Sequence, residues 1–382
     1  MYNSCVVIFS AMMFLTGCSY LQKAATPRNF VLERSWARTT ASDDYLKARV
    51  IHTMQPMLVG DTVIAGNEID SLSAYNKISG ALVWQRRFDG GVTSHGLIYQ
   101  NQLYIGGGDG FFYALSIATG QTKWSAPIRS EGLGAPAEKD GIIYFLSGAG
   151  TVYALNADTG EQQWVYTRQD PSSLTIRGAS EPTIDGDKLY IGMSDGTLVA
   201  LNRKTGSLIW EKYLGQTPKF RDVDSKPVLW KGKLYVSSFD GLLYCLDPAD
   251  GRVFWTYGSG GVTPVTISGD KVYFSSTNKE VVALDLESGK ELWKNQLQSS
   301  IATQPVVYKG LVIFGEWIGA VKMLDAQSGK LVSEYRTGRG VTAKPVVDET
   351  LSRVYVMSTD ANLYSLKLIL KDSSSEWPWE KL

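Results

Sequence analysis

Short runs of alternating apolar and polar residues recur along the whole chain, separated by Gly-containing turns. The stretch from Lys188 to Trp210 shows the pattern in its plainest form. It opens with Leu189-Tyr190-Ile191, turns at Ser194-Asp195-Gly196, and alternates again from Thr197 to Leu201. A second turn at Lys204-Thr205-Gly206 leads into a third strand ending at Trp210. Period-two alternation bounded by Asp-Gly and Thr-Gly turns predicts an antiparallel meander, because glycine supplies the positive φ that such turns need. So small a sheet is marginal alone and needs neighbours of its own kind.

The chain supplies them. Segments equivalent to DGTLVAL (195–201) recur at 68–75, 109–115, 149–155, 240–246, 278–284, 318–324 and 360–366, about 38 to 46 residues apart. Six copies continue with Gly and then Trp at fixed distance: Gly80/Trp84, Gly120/Trp124, Gly160/Trp164, Gly206/Trp210, Gly251/Trp255 and Gly289/Trp293. The seventh keeps Gly329 but carries Ser333 at the tryptophan position. A further strand, opening on Pro, precedes most copies. Four strands in each of eight repeats predict an all-β, eight-bladed β-propeller of four-stranded antiparallel blades. The eighth copy ends at Leu366 without its own Gly-x-x-x-Trp strand, and a strand of that kind, Val31–Arg38 with Trp36, stands alone at the other end. The N-terminal strand is therefore expected to complete the last blade and close the ring, with the propeller occupying 31–370 and a tail at 371–382.

Repeats override the usual length prior, so 382 residues make one domain. The 38 basic and 38 acidic residues balance, which argues against nucleic acid, whose binding rests on a basic field. No sequence segment after the leader has the run of roughly 18 apolar residues needed to span a bilayer. Residues 1–17 read as a targeting segment with an apolar core from Val6 to Leu15. Leu15-Thr16-Gly17-Cys18 resembles a lipobox, which implies lipidation at Cys18 and a tether over 18–30; a plain secretory signal is the alternative. The absence of Lys or Arg before the apolar core departs from the usual pattern, and Ser19 after the Cys resembles outer-membrane sorting. Of the three cysteines, Cys5 would leave with the signal and Cys18 would be acylated, so no intrachain disulfide is expected for the remaining Cys245. It stands where other repeats have Ala and reads as a small core residue.

The Ala, Gly and Trp positions, six and then four residues apart, resemble the tryptophan-docking repeat of quinoprotein (PQQ-type) propellers. There a Trp of one blade packs near the Gly of the next. Trp36, Trp84, Trp124, Trp164, Trp210, Trp255 and Trp293 are thus expected to seal blade seams rather than bind ligands. The resemblance also raises the alternative of a periplasmic quinoprotein-like enzyme or ligand-binding propeller. Against it, the chain lacks an adjacent Cys pair and the insertions that carry calcium and quinone ligands in those enzymes. Its two histidines, His52 and His95, lack metal-ligand spacing, and no P-loop, Gly-x-Ser-x-Gly or HExxH motif appears. Gly106-Gly107-Gly108 falls in a predicted hairpin and reads as turn chemistry. The expectation is a non-enzyme with no cofactor and no metal.

Function in repeat folds sits where the repeat is broken. Most connections from a Trp to the next blade's Pro run about 9 to 12 residues, but Trp164 to Pro182 spans 18 and Trp210 to Pro227 spans 17; Trp36 to Pro56 is also long, but lies near the closure and is expected to serve it. In a meander these emerge on one face, so two neighbouring long loops predict one raised patch. The first presents Leu174, Ile176 and Arg177; the second reads Lys219-Phe220-Arg221-Asp222-Val223-Asp224-Ser225-Lys226. Exposed apolar residues framed by charge suit a protein–protein hot spot; the alternative is that Arg177 and the two Asp brace the loops, and such a brace can also preorganise a binding surface. The lipobox, the eight repeats and the pair LTIRGASEPT and FRDVDSKP together resemble the BamB family, propeller lipoproteins of the outer-membrane β-barrel assembly machinery. The resemblance implies a scaffold on the periplasmic face of the outer membrane that binds the POTRA domains of BamA and aids barrel assembly. It also allows unfolded outer-membrane clients as further partners. It assigns partner contact to Leu174, Ile176, Arg177, Asp222 and Asp224. Ile176 stands where the family usually has Leu, and Glu181 and Lys226 add charge that is expected to tune partner choice.

Overall fold

The computed structural model describes residues 29–41, 54–69, 71–92, 94–168, 180–217, 222–239 and 241–371. The expected leader, Cys18, most of the tether, His52 and all but the first residue of the C-terminal tail lie outside them. Thirty-two strands form eight four-stranded sheets. Blades 1 to 7 span 57–87, 97–127, 137–167, 183–213, 228–257, 266–296 and 306–336, each a plain meander. Blade 8 takes three strands from 346–370 and its outermost from Phe30–Thr39, as the stranded N-terminal segment predicts. The first strands of neighbouring blades touch around most of the ring, including those of blades 8 and 1, and so line its centre. No described helix is long and apolar enough to cross a membrane.

Each blade is built by the same local chemistry. In blade 4, Lys188–Gly192 and Thr197–Asn202 are buried along nearly their whole length. Leu208–Tyr213 alternates exposed and half-buried residues, as an outer edge should, and runs three residues past Trp210 rather than stopping there. The turn before it is held by Asn202, whose side-chain oxygen accepts from Lys204 N (2.9 Å) and Thr205 N (3.2 Å). Gly206 then takes φ +73°. Cores lie between blades: one cluster joins Tyr144 and Val152 of blade 3 to Leu189, Ile191 and Val199 of blade 4.

The tryptophans close these seams. A Cβ placed on Gly80, Gly120, Gly160, Gly206, Gly251, Gly289 or Gly329 would lie 2.5–3.1 Å from Trp36, Trp84, Trp124, Trp164, Trp210, Trp255 or Trp293 respectively. Each indole thus lies flat on the bare backbone of the next blade's turn. The residue opposite each Trp is small: Ala74, Ala114, Ala154, Ala200, Cys245 and Ala283 face Trp84, Trp124, Trp164, Trp210, Trp255 and Trp293. Most indoles also donate across the seam, Trp124 Nε1 to Ala157 O at 2.9 Å and Trp164 Nε1 to Arg203 O at 2.9 Å; Trp255 Nε1 finds no acceptor among the described residues. A tyrosine from the middle of the second strand shares this task, since Tyr104 Oη donates to the same Ala157 O (3.1 Å) and its ring lies 6.0 Å from Trp124.

Blade 7 departs from this scheme for a structural reason. Blade 8 draws its outer strand from the other end of the chain, so it has no turn there for a tryptophan to cover. Ser333 stands opposite Met323, which fills the space instead. The pairing of Phe30–Thr39 with Asn362–Leu370 runs on to Phe30–Leu370, and Phe30, Leu32 and Leu368 pack with Met323 and Val341 in that seam.

Candidate functional site

The two long connections leave the outer strands of blades 3 and 4 and return to the inner strands Thr183–Asp185 and Val228–Trp230. Residues 169–179 and 218–221 lie outside the described residues, and with them Leu174, Ile176 and Arg177. What the structure places is the pair of loop stems, and it fastens them to each other. Ser180 Oγ donates to Ser225 O at 3.0 Å, and Lys226 Nζ pairs with Glu181 Oε2 at 3.1 Å. Burial works against the Glu181 charge, but Lys226 and then His95 hold its carboxyl below the usual range. Glu181 and Lys226, read from sequence as tuning partner choice, are thus engaged with each other at the inner ends of the loops.

Asp222 and Asp224 sit where the second loop folds back onto the blades. Val223 N donates to Met193 O (3.2 Å), and Phe239 N donates to Asp222 O (3.1 Å). A Cβ at Gly192 would meet Val223 O at 2.0 Å, so only glycine permits this approach. Val223 is consequently buried in the core between blades 4 and 5, which corrects the expectation that the apolar residues of this loop are exposed. The Asp222 side chain is also fully buried, while Asp224 keeps partial exposure. Burial, and then the neighbouring Asp222 carboxylate, push the Asp224 carboxyl well above the usual range.

A third element of the site carries no motif. Arg168, the last described residue before the first loop, reaches from blade 3 to blade 4 and donates through Nε to Asp195 and through Nη1 to Glu211 Oε2 (2.5 Å). Burial opposes its charge, but Glu211 and Asp195 raise the guanidinium above its ordinary value. The first loop is thereby held at both ends, by Arg168 outside and Ser180-Glu181 inside. The only sequence signal for Arg168 is a charge at the end of an outer strand, which any exposed strand end can carry.

Cys245 is fully buried, and burial pushes its thiol up to about 11, so it serves as the small partner of Trp255. Gly106 and Gly108 allow backbone to approach Gly132 and Gly90, with Cβ positions only 2.5 Å and 2.2 Å away, which accounts for the glycine run by packing.

An eight-bladed ring with tryptophan-docked seams, closed by its own N-terminal strand and with the stems of two neighbouring connections fastened to each other, is a scaffold propeller. The family described as outer membrane protein assembly factor BamB matches residues 70–295 and 232–377. The chain belongs to that family, and is a non-enzymatic outer-membrane protein assembly factor. It is 26% identical to the outer membrane protein assembly factor BamB of Shewanella oneidensis over 322 residues, covering 79% of this chain and 81% of that one. The crystal structure of BamB from Moraxella catarrhalis superposes with a TM-score of 0.76 at 25% identity, over 88% of this chain and all of that one. The quinohemoprotein alcohol dehydrogenase of Comamonas testosteroni shares the fold, with a TM-score of 0.71 at 15% identity over 91% of this chain and 78% of that one.

Proposed function

We propose that this assembly factor is anchored to the outer membrane through Cys18, faces the periplasm, and binds the POTRA domains of BamA. The contact face is the patch formed by the two long loops, with Leu174, Ile176 and Arg177 from the first and Asp224 from the second. Asp222, buried at the turn of the second loop, supports that face from below by fixing the conformation in which Asp224 is offered. The observation that carries the reading is the fastening of the two loop stems through Ser180–Ser225 and Glu181–Lys226. Loops joined at their bases present one preorganised surface, and preorganisation lowers the ordering cost of binding. Unfolded outer-membrane clients form a second class of partner.

The test is affinity capture of BamA from detergent-solubilised envelopes. Arg177→Ala, and Asp222→Ala combined with Asp224→Ala, are expected to lower recovery at least tenfold, as for hot-spot losses of about 2 kcal/mol. Thermal unfolding of Arg177→Ala should match wild type. Undiminished capture by both variants would move the site elsewhere.

A further inference from the structure

The residues just before the innermost strands form a collar about the ring axis. Most precede proline: Gln55, Glu181, Lys226, Thr263, Gln304 and Lys344; His95 holds the equivalent place in blade 2. Charges here meet across the axis. His95 Nε2 of blade 2 lies 3.9 Å from Glu181 Oε1 of blade 4, and Lys344 of blade 8 feels both Glu181 and Lys226.

The collar holds more donors than acceptors. Lys226 is spent on Glu181. Lys344 makes no hydrogen bond or ion pair within the described residues, and Thr263 Oγ1 is buried there without a partner. His95 Nδ1 accepts from Gln55 N at 2.9 Å, which puts the imidazole proton on Nε2, and Glu181 at 3.9 Å is beyond hydrogen-bond reach of it. Burial favours the neutral ring. Among the described collar residues two ammonium groups therefore face one carboxylate, leaving one positive charge in excess where an uncompensated charge is costly. Burial depresses Lys344 in keeping with this.

A cavity of about 440 Å³ opens from Lys344 and Gln55 along the innermost strands of blades 7, 8 and 1. Its walls include Leu58, Val307 and Val347, and Glu349 stands at its rim. Apolar walls with a few polar groups, here Lys344 and Gln55 at the inner end and Glu349 at the rim, are the usual make-up of a small-ligand site.

We propose that this axial cavity binds a small monocarboxylate with an apolar tail, its carboxylate on Lys344 and its tail along Leu58, Val307 and Val347. One excess positive charge matches a monoanion, and Glu349 at the rim repels a second negative group. The same chemistry occurs in a short free fatty acid and in the carboxyl end of a polypeptide with apolar last residues.

Calorimetric titration of the full chain with hexanoate tests this, beside hexan-1-ol, sulfate at matched ionic strength, and acetyl-Val-Leu as free acid and as amide. Saturable one-to-one binding of hexanoate or the dipeptide acid is expected, with none for hexanol, sulfate or the amide. The tighter of the two acids identifies the source. Lys344→Met should weaken binding at least tenfold with unfolding temperature retained. Val307→Thr, which replaces one wall methyl by hydroxyl, should weaken hexanoate about threefold while leaving the fold intact. Absence of saturable binding to wild type, equal affinity for sulfate, or unchanged affinity in both variants would overturn the proposal.

Discussion

Asp224 shows most clearly how the loop site differs from the rest of the ring. Burial and Asp222 raise its native pKa, so the folded state holds its proton at a pH where the unfolded chain, with an ordinary value near ~3.9, has released it. A raised carboxyl pKa makes stability fall as pH rises from the unfolded value towards the native one. Asp224→Asn is therefore expected to raise the unfolding temperature near pH 7.5 and to change it little near pH 3.5; equal shifts at both would show that the charge is not strained. A carboxyl kept against stability suits a contact that a partner's cation relieves. The residue types of this loop could be read from sequence, but their burial could not. Val223 and Asp222 occupy a polar, Gly-free stretch that looks exposed, and only the approach of backbone to Gly192 shows why it turns inward. The tyrosines at the second strand's centre were equally hidden, because Tyr fits any strand and its shared acceptor lies about 50 residues away, as for Tyr104 and Ala157 O.

At the scale of the blade, the sequence was far more legible, since the Ala, Gly and Trp of the repeat are three parts of one contact. Ala opposite Trp gives the indole room, and Gly in the next blade gives it a flat floor. Trp124→Ala should cost about 3–5 kcal/mol in equilibrium unfolding. Ser333→Trp should not restore a missing interaction. Met323 fills the opposing place and blade 8 offers no turn to cover, so the variant is expected to lose about 1–3 kcal/mol through overpacking. Adding Met323→Ala should leave it below wild type; a double variant more stable than wild type would refute the account of Ser333. The irregular repeat thus follows from the ring's closure, a link that becomes visible only when both ends of the chain are seen in one sheet.

At the scale of the whole molecule, the axis is held by a few charges from distant blades. Glu181, Lys226 and Lys344 all face His95 there, and burial keeps its imidazole pKa below the usual 6.5. With a depressed histidine, stability is full above about pH 6.5 and falls as pH drops below it, because the unfolded chain takes up the proton first. His95→Gln should flatten that decline between about pH 6.5 and 5, as seen in unfolding temperature against pH; an unchanged slope would assign acid sensitivity to other groups. None of this was legible beforehand. The collar residues sit in seven separate repeats, and neither their position on the axis nor their mutual distances leave any local trace.

The pairing of Phe30–Thr39 with Asn362–Leu370 also has a meaning in time. Lys371 N donates to Asn29 O at 2.8 Å, so the first and last described residues meet. A chain delivered from its N-terminus exposes that opening strand long before the segment it must join exists. For this interval its backbone edge is unmatched, as is the edge of each newest blade, and such edges invite pairing with other chains. The step that finishes the ring is thus the one that spans almost the full chain, and every seam made earlier must wait for it before the structure is without an open end.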